Sequence, residues 1–376
     1  MKFVTLLENF KKAINLGERI SGKNFTLPIL SNLLIESKKN KICVSATDLE
    51  IGVEILLTGQ MEEEKENEKI VVPAKILANF VNHLSEEKVL LETKNQNLII
   101  RSGKYQAEFL TLNPEDFPII PKVKTIKNIE VNKEEIKQSL ERVIPAISPN
   151  ASRSELTGVY FDLNGKTLKI VGTDSYRLAE KTIKLTNDFS EKTNFIIPFR
   201  TAIEVSRMIA DNIEEELDHQ NLIIYPESNQ IQFNLGNTRL ISQLINGEYP
   251  QYEAIIPKEF ENEVVVDKKE LLESIKIVGL FASRVNDIFL TLNPDKKEIN
   301  LVAQDQTFGK GQTSLKTKTI QGNHLSISFD YRYLLDGISV AEGDFVFLGF
   351  NKDNNPALIR GEEERDFLYV LMPIKI

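Results

Sequence analysis

The sequence predicts an α+β protein built from three similar domains, each with two helices packed on antiparallel sheets. Three observations predict it. The chain repeats itself at a domain-sized interval. Each repeat places amphipathic helix patterns beside period-two strand patterns. Proline-containing connectors fall at the two places where the repeat starts again. With 376 residues, the chain can supply two or three such units, each with a core of its own.

The first helix pattern runs from Leu6 to Ile20, with Leu6, Phe10, Ala13, Ile14 and Ile20 on one face. The strand-like ILSNLLIES follows, then a turn at Lys38–Lys41 and the strands of KICVSATDLEIGVEILL. There Ile42, Val44 and Ala46 share one face, and Lys41, Cys43 and Ser45 the other. The second repeat starts at Lys133, with Ile136, Leu140, Val143, Ile144 and Ile147 on one face. It continues with TGVYFDL, a turn at Asn164–Lys166 and TLKIVGTDSYRLAEKTI. The third starts at Lys268, with Leu271, Leu272, Ile275 and Val278. It continues with DIFLTL, a turn at Asn293–Lys297 and EINLVAQDQTFGKGQTSL.

The second half of each unit repeats as well. A strand runs into a helix in KIVVPAKILANFVNHL, in FIIPFRTAIEVSRMIA and, without the proline, in LSISFDYRYLLDGI. The endings LTLNP, QLING and VLMP put Leu112, Leu244 and Leu371 in equivalent places. The period is roughly 125–132 residues, the size of a domain and not of a solenoid repeat. About eight strands per unit are expected. The connectors PEDFPIIPKVKT and EYPQYEAIIPKE set the domains at 1–124, 125–255 and 256–376.

Composition excludes several classes. The single cysteine, Cys43, rules out an intramolecular disulfide framework and a Cys-based zinc site. His83, His219 and His324 are too far apart for a local two-histidine metal motif. The first residues reach Glu8 before a signal-peptide core can form, and no apolar run is long enough to span a membrane. A cytoplasmic protein with no cofactor is expected. The acidic clusters Glu62–Glu68, Glu214–Glu216 and Glu362–Glu364 lack the ligand spacing of a calcium loop and read as solvated loops.

No nucleophile elbow, phosphate-binding glycine loop or catalytic motif is present. The recurring pairs Thr47–Asp48 and Thr173–Asp174 are the best candidates for chemistry. Their repetition favours a structural task, with a short Asp accepting hydrogen bonds from the amides of a turn.

The net charge is −9, and the three units carry 0, −5 and −4. Cations nevertheless lead on the polar helix faces. The first unit offers Lys11, Lys12, Arg19, Lys23 and Lys75, and the second Lys137, Arg142, Arg200 and Arg207. The third offers Lys276 and Arg332. Glu18, Glu141, Glu204 and Glu270 share those faces. A surface lined by these helices suits phosphates and sequence-independent contact.

Long motifs then point to one family. MKF, FTLPILSNLLIE, ATDLEIGVE, VVPAK, RSGKY, TLNPEDFP, SRSELTGVYFD, GTDSYRLAEK, NGEYPQY and YVLMPIKI occur in order along the chain. With these motifs the chain resembles the bacterial DNA polymerase III beta subunit, the sliding clamp, over its full length. The resemblance implies clamp-type domains and a head-to-tail homodimer forming a six-domain ring. It implies a non-catalytic processivity factor that encircles double-stranded DNA without reading sequence. The implied partners are the DNA polymerase III alpha subunit, the clamp loader and other clamp-motif proteins of replication and repair.

The resemblance also implies a partner-peptide pocket between the second and third domains. SRSEL supplies Arg153 and Leu156, and GTDSYRLA supplies Thr173, Ser175, Tyr176, Arg177 and Leu178. YPQYEAIIP supplies Pro250 and Ile255, SRVNDIF supplies Val285, and FDYRYLL supplies Asp330 and Tyr333. NNPALI supplies Pro356, and YVLMPIKI supplies Val370, Leu371, Met372, Pro373 and Ile374. Apolar walls with a few polar anchors suit a peptide.

At the implied dimer seam, Phe109 is expected to oppose Leu280 and Phe281, with Lys104 close by. The chain departs from the family's pattern in four places. Ser175–Tyr176 stands where Gly-His is common, and Ala254 where a polar or basic residue is common. Before TLPIL, the residues Lys23, Asn24 and Phe25 put the basic residue at Lys23. QDQTFGKGQTS replaces an acidic stretch at the seam, keeping Asp305 as its acid and adding Lys310. Two other classes remain on the sequence: an enzyme using the Thr-Asp pairs at a domain interface, and a protein-only scaffold that encloses no DNA.

Overall fold

Helices form where the apolar spacing asks for them, and a strand feeds into each. In the computed structural model, the described residues are 1–22, 27–63, 68–125, 127–211 and 220–375, apart from the side chains of 190 and 191. Lys23, His219 and Glu214–Glu216 lie outside them, as does the middle of Glu62–Glu68.

The first repeat contains β1 (Lys2–Leu6), α1 (Leu7–Ile20), β2 (Asn32–Lys38), β3 (Lys41–Thr47) and β4 (Ile51–Leu57). It continues with β5 (Gln60–Glu63), β6 (Lys69–Pro73), α2 (Ala74–Asn82), β7 (Lys88–Lys94), β8 (Asn97–Ser102) and β9 (Tyr105–Phe109). The second contains β10 (Ile129–Asn132), α3 (Lys133–Val143), β11 (Gly158–Thr173), β12 (Arg177–Pro198) and α4 (Phe199–Asp211). It ends with β13 (Asn221–Pro226), β14 (Gln230–Leu235) and β15 (Thr238–Gln243). The third contains β16 (Asn262–Asp267), α5 (Lys268–Gly279), β17 (Asp287–Asn293), β18 (Glu298–Asp305) and β19 (Gly309–Gln321). It ends with β20 (Leu325–Asp330), α6 (Tyr331–Val340), β21 (Phe345–Phe350), β22 (Ala357–Gly361) and β23 (Phe367–Leu371).

Two compact units result: Met1–Lys137 with Glu204–Leu244, and Gln138–Ile203 with Ile245–Ile376. The first holds a five-stranded sheet, β5-β1-β7-β8-β9, and an eight-stranded sheet, β10-β13-β14-β15-β4-β3-β2-β6. Its core includes the buried α1 face of Phe10, Ala13, Ile14, Leu16 and Ile20. The second holds a ten-stranded sheet, β11-β12-β23-β22-β21-β16-β19-β18-β17-β20. There α5 buries Leu271, Ile275 and Val278, and α6 buries Leu334 and Ile338.

The strand-to-helix corners are made in two ways. Pro73 closes β6 directly before α2, where its fixed φ and missing N–H cost nothing. In the third repeat Asp330 replaces the proline and caps α6, accepting from the Arg332 amide at 2.9 Å. Asp267 caps α5 likewise, accepting from Glu270 N at 2.8 Å.

One expected turn is absent from the described residues. Asn164–Lys166 lies inside the sixteen-residue strand β11, which stays paired with β12 through register shifts around Gly165. Gly165 adopts φ 59°, so the chain absorbs the extra residue as a bulge without reversing. With β11 and β12 running on, the middle repeat has six strands among the described residues, not about eight.

Candidate functional site

The Thr-Asp pairs are turn devices. Thr47 Oγ1 donates to Ile51 O at 2.9 Å and accepts from Leu49 N at 3.0 Å. Asp48 Oδ1 accepts from the amides of Glu50 and Ile51 at 3.0 and 2.9 Å. Thr173 and Asp174 repeat this. Thr173 Oγ1 donates to Arg177 O at 2.6 Å, and Asp174 Oδ1 accepts from Tyr176 N and Arg177 N at 3.0 Å each. Asp305 accepts from Thr307 N and Phe308 N, and those amides hold its carboxyl below the usual range. A carboxylate occupied by two turn amides is a fold element, not a reacting group.

In the second repeat the turn carries Arg177 where the first carries Ile51. The Arg177 Nε donates to Asp174 Oδ2 at 2.9 Å, its Nη1 pairs with Asp336, and its guanidinium lies 4.0 Å from the Tyr333 ring centre. Burial opposes the charge, but Tyr369, Asp336 and Asp174 outweigh it and hold Arg177 protonated. Tyr369 donates to Tyr333 O at 3.0 Å, which locks α6 against β23.

Around this anchor the second unit gathers many of the implied pocket residues. β12 pairs with β23, so Arg177 lies opposite Leu371 and Leu178 opposite Val370. Met372 N donates to Tyr176 O at 2.8 Å, and Ile374 N to Ser328 O at 2.8 Å. Pro356 directly precedes Ala357, which is opposite Leu371 on β22. Leu178 and Val370 pack with Val171 and Tyr252, and Tyr160 and Tyr249 pack against that cluster. Tyr160 and Tyr249 stack at 4.4 Å between ring centres. Burial pushes the Tyr160 hydroxyl up to about 12 and the Tyr249 hydroxyl further. Tyr252 donates to Glu180 at 2.7 Å, and Glu180 lies 3.5 Å from Lys169, which donates to Glu253 at 2.7 Å.

The eighteen implied residues divide by exposure. Leu156, Thr173, Leu178, Asp330, Val370 and Leu371 are buried. Tyr176, Ile255 and Val285 are exposed at 65%, 45% and 59%, unusually open for large apolar side chains. Ser175 is exposed too, and Arg153 reaches solvent while pairing with Glu155 at 2.6 Å. Arg177, Pro250, Tyr333, Pro356, Met372, Pro373 and Ile374 are half-buried. Ser175 holds φ 79°, a left-handed conformation that glycine adopts without strain. Sequence reasoning missed Asp336, Tyr369 and the tyrosines 160, 249 and 252. Tyr249 and Tyr252 lie in NGEYPQY, where their aromatic spacing is the available signal.

The helix cations are less uniform than their spacing suggests. Lys75, Arg200 and Lys276 are exposed. Lys11 donates to Leu84 O at 2.6 Å, Lys12 pairs with Glu8 at 3.0 Å, and Lys137 lies 4.0 Å from Glu134. Arg19 pairs with Glu204 and Asp211, Arg207 with Glu204, and Arg332 with Asp330. Arg142 is a correction. It is buried at 7%, pairs with Glu342 and Glu364, and lies 3.8 Å from the Phe367 ring centre. A guanidinium so enclosed is a tertiary clamp and not a phosphate contact.

Among the described residues no cluster of His, Cys, Asp and Glu could hold a metal ion. No helix there is long and apolar enough to cross a membrane. Burial pushes the Cys43 thiol up, which makes it unreactive.

Three family profiles match in succession: the DNA polymerase III beta subunit N-terminal domain over residues 1–121, its central domain over 130–251, and its C-terminal domain over 253–375. The chain belongs to the DNA polymerase III beta subunit family. Its relatives include the beta sliding clamps of Staphylococcus aureus and Staphylococcus epidermidis. The first is 27% identical over 99% of this chain and 97% of the relative. The second is 26% identical over 100% and 99%. The solved Bacillus subtilis DNA polymerase sliding clamp aligns with a TM-score of 0.90 at 26% identity, covering 100% of this chain and 99% of that one. A Pseudomonas aeruginosa clamp solved bound to griselimycin aligns with a TM-score of 0.91 at 24% identity, covering 100% of each chain. Family membership makes the chain a non-catalytic processivity subunit of DNA polymerase III.

Proposed function

We propose that two copies of this chain close head to tail into a six-domain ring around duplex DNA and tether the polymerase to it without reading sequence. The domains are 1–124, 125–255 and 256–376. The observation that carries the reading is sheet continuity between successive repeats. β15 of the middle repeat adds to β4 of the first, and β23 of the third adds to β12 of the middle. A chain that joins like domains edge to edge builds a frame, and a frame holds a duplex by enclosure more than by contact.

Exposed Lys75, Arg200 and Lys276 supply a diffuse attraction for phosphates, which lets the ring slide. The surface around Tyr176, Arg177, Ile255, Val285, Tyr333, Pro356 and Met372 takes short, partly apolar peptides from the polymerase, the clamp loader and repair proteins in the cytoplasm.

Enclosure has a direct test. Clamps loaded on a nicked circular plasmid should stay bound through gel filtration in salt and be lost after a single restriction cut. Equal retention on circular and linear DNA would contradict the reading. Replacing Lys75, Arg200 and Lys276 together by Ala should shorten retention on the circle and flatten its salt dependence; unchanged retention would remove these cations from the DNA face.

A further inference from the structure

Within the chain, one strand pairing is used twice. β15 lies on β4 with Ser242 opposite Ile51, Ile241 opposite Gly52, Leu240 opposite Val53 and Arg239 opposite Glu54. β23 lies on β12 with Leu371 opposite Arg177, Val370 opposite Leu178, Tyr369 opposite Ala179 and Leu368 opposite Glu180. The two registers superpose residue for residue, because Val53 is opposite Ala46 and Ala179 is opposite Gly172, two residues before each turn aspartate.

The first and third repeats each leave one half of this pairing unused. β9 follows β8 through a Gly103–Lys104 turn, as β15 follows β14 through Gly236–Asn237, and both glycines have positive φ. Tyr105 therefore matches Thr238, and Phe109 matches Ser242. Among the described residues β9 ends its sheet with β8 as its one neighbour. In the third repeat Ala303, two residues before Asp305, is opposite Gly311. Gly311 therefore matches Val53 and Ala179, and the turn after Asp305 is one residue longer. Residues 309–313 pair with β18 on one side, and β16 joins β19 further along, from Thr317.

Applying the shared register across two copies sets Phe109 opposite Gly309, Glu108 opposite Lys310, Ala107 opposite Gly311, Gln106 opposite Gln312 and Tyr105 opposite Thr313. We propose that a second copy of this chain is selected through this register, with Glu108 of one copy facing Lys310 of the other. The inference rests on the ring reading above and adds the residues that make the joint specific.

The chemistry fits a second copy. Glu108 and Lys310 are both exposed, of opposite sign, and directly opposite in this register, where Cβ atoms stand about 5 Å apart. Arg239 and Glu54 form an ion pair of the same kind across the junction of β15 and β4. On the other face, small Ala107 meets Gly311, whose missing Cβ leaves room for the Phe281 ring. Beside it, an open groove of about 410 Å³ runs between α5 and residues 310–313. The flanking apolar side chains are unusually exposed: Ile277 at 64% and Leu280 at 75% on one edge, Ile76 at 62% and Leu110 at 75% on the other. An unpaired strand edge with such flanks is built to be covered.

Charge reversal tests the register. Glu108→Lys and Lys310→Glu should each raise the dissociation constant of the homodimer about tenfold in sedimentation analysis at low salt, because both joints become repulsive. An equimolar mixture of the two variants should form mixed dimers almost exclusively, since both joints are then complementary. The variant pair Glu108→Cys with Lys310→Cys should give a covalent dimer on mild oxidation. If the natural chain dimerises but the reversals change nothing, the mixture stays unsorted and the cysteines do not link, the register is wrong and the ring reading stands. If the natural chain is a monomer at tens of micromolar, the ring reading itself fails.

Discussion

The turns after Asp48 and Asp174 are built alike and used differently. Each aspartate accepts two amide hydrogen bonds, each preceding threonine bridges its loop, and each turn passes through a positive φ, at Leu49 and at Ser175. After the first comes Ile51, buried at 3%. After the second comes Arg177, held by Asp174, Asp336 and the Tyr333 ring, with Tyr176 standing open beside it. The comparison teaches that the repeat fixes the backbone while one or two side chains decide whether a copy of it packs into the core or stands open at the surface.

The comparison breaks hardest at the aspartates. Asp48→Ala should cost about 1–2 kcal/mol in urea unfolding, the loss of an acceptor for two turn amides. Asp174→Ala should cost about 2–4 kcal/mol, because it also strands part of a half-buried Arg177. Equal costs would show that Arg177 draws nothing from Asp174. A smaller effect sharpens the functional side. Tyr176→Ala should leave the unfolding midpoint within about 0.5 kcal/mol of the natural chain and weaken a clamp-motif peptide about tenfold. Glu50→Ala, its counterpart in the first repeat, should leave peptide affinity unchanged in the same titration. The smallest effect lies in the backbone. Ser175→Gly should stabilise the chain by about 0.5–1 kcal/mol, as glycine relieves the left-handed strain and returns part of the gain as chain entropy.

The architecture was legible because the period of the helix faces and the Thr-Asp turns survive in each repeat. α3 and α5 begin at the residues their patterns name, Lys133 and Lys268. Register was not legible. Leu371 has Ser242 as its counterpart across the sheet, two residues from Leu244, and the third turn is longer by one. A strand's partner is chosen by pairing across the sheet, and a shift by one or two leaves the local pattern almost unchanged.

The buried residues Leu178 and Val370 lie in motifs the sequence offers, yet Asp336 and Tyr369 beside them do not stand out, since each acts through a residue distant in sequence. Arg142 failed for the same reason. Helical spacing puts it on a polar face, but Glu342, two hundred residues further on, turns that face inward. Among the helix cations, enclosed Arg142 looks the same in sequence as exposed Lys75, Arg200 and Lys276.

The lone thiol has a practical consequence. Cys43 is fully enclosed on β3, and its proton is held more tightly than usual. A maleimide dye at neutral pH should pass it by, so a cysteine introduced at exposed Lys94, away from the cations and the strand edges discussed above, becomes the sole coupling point without engineering away the native residue. Fluorescent rings made in this way would let opening, loading and departure be timed one molecule at a time.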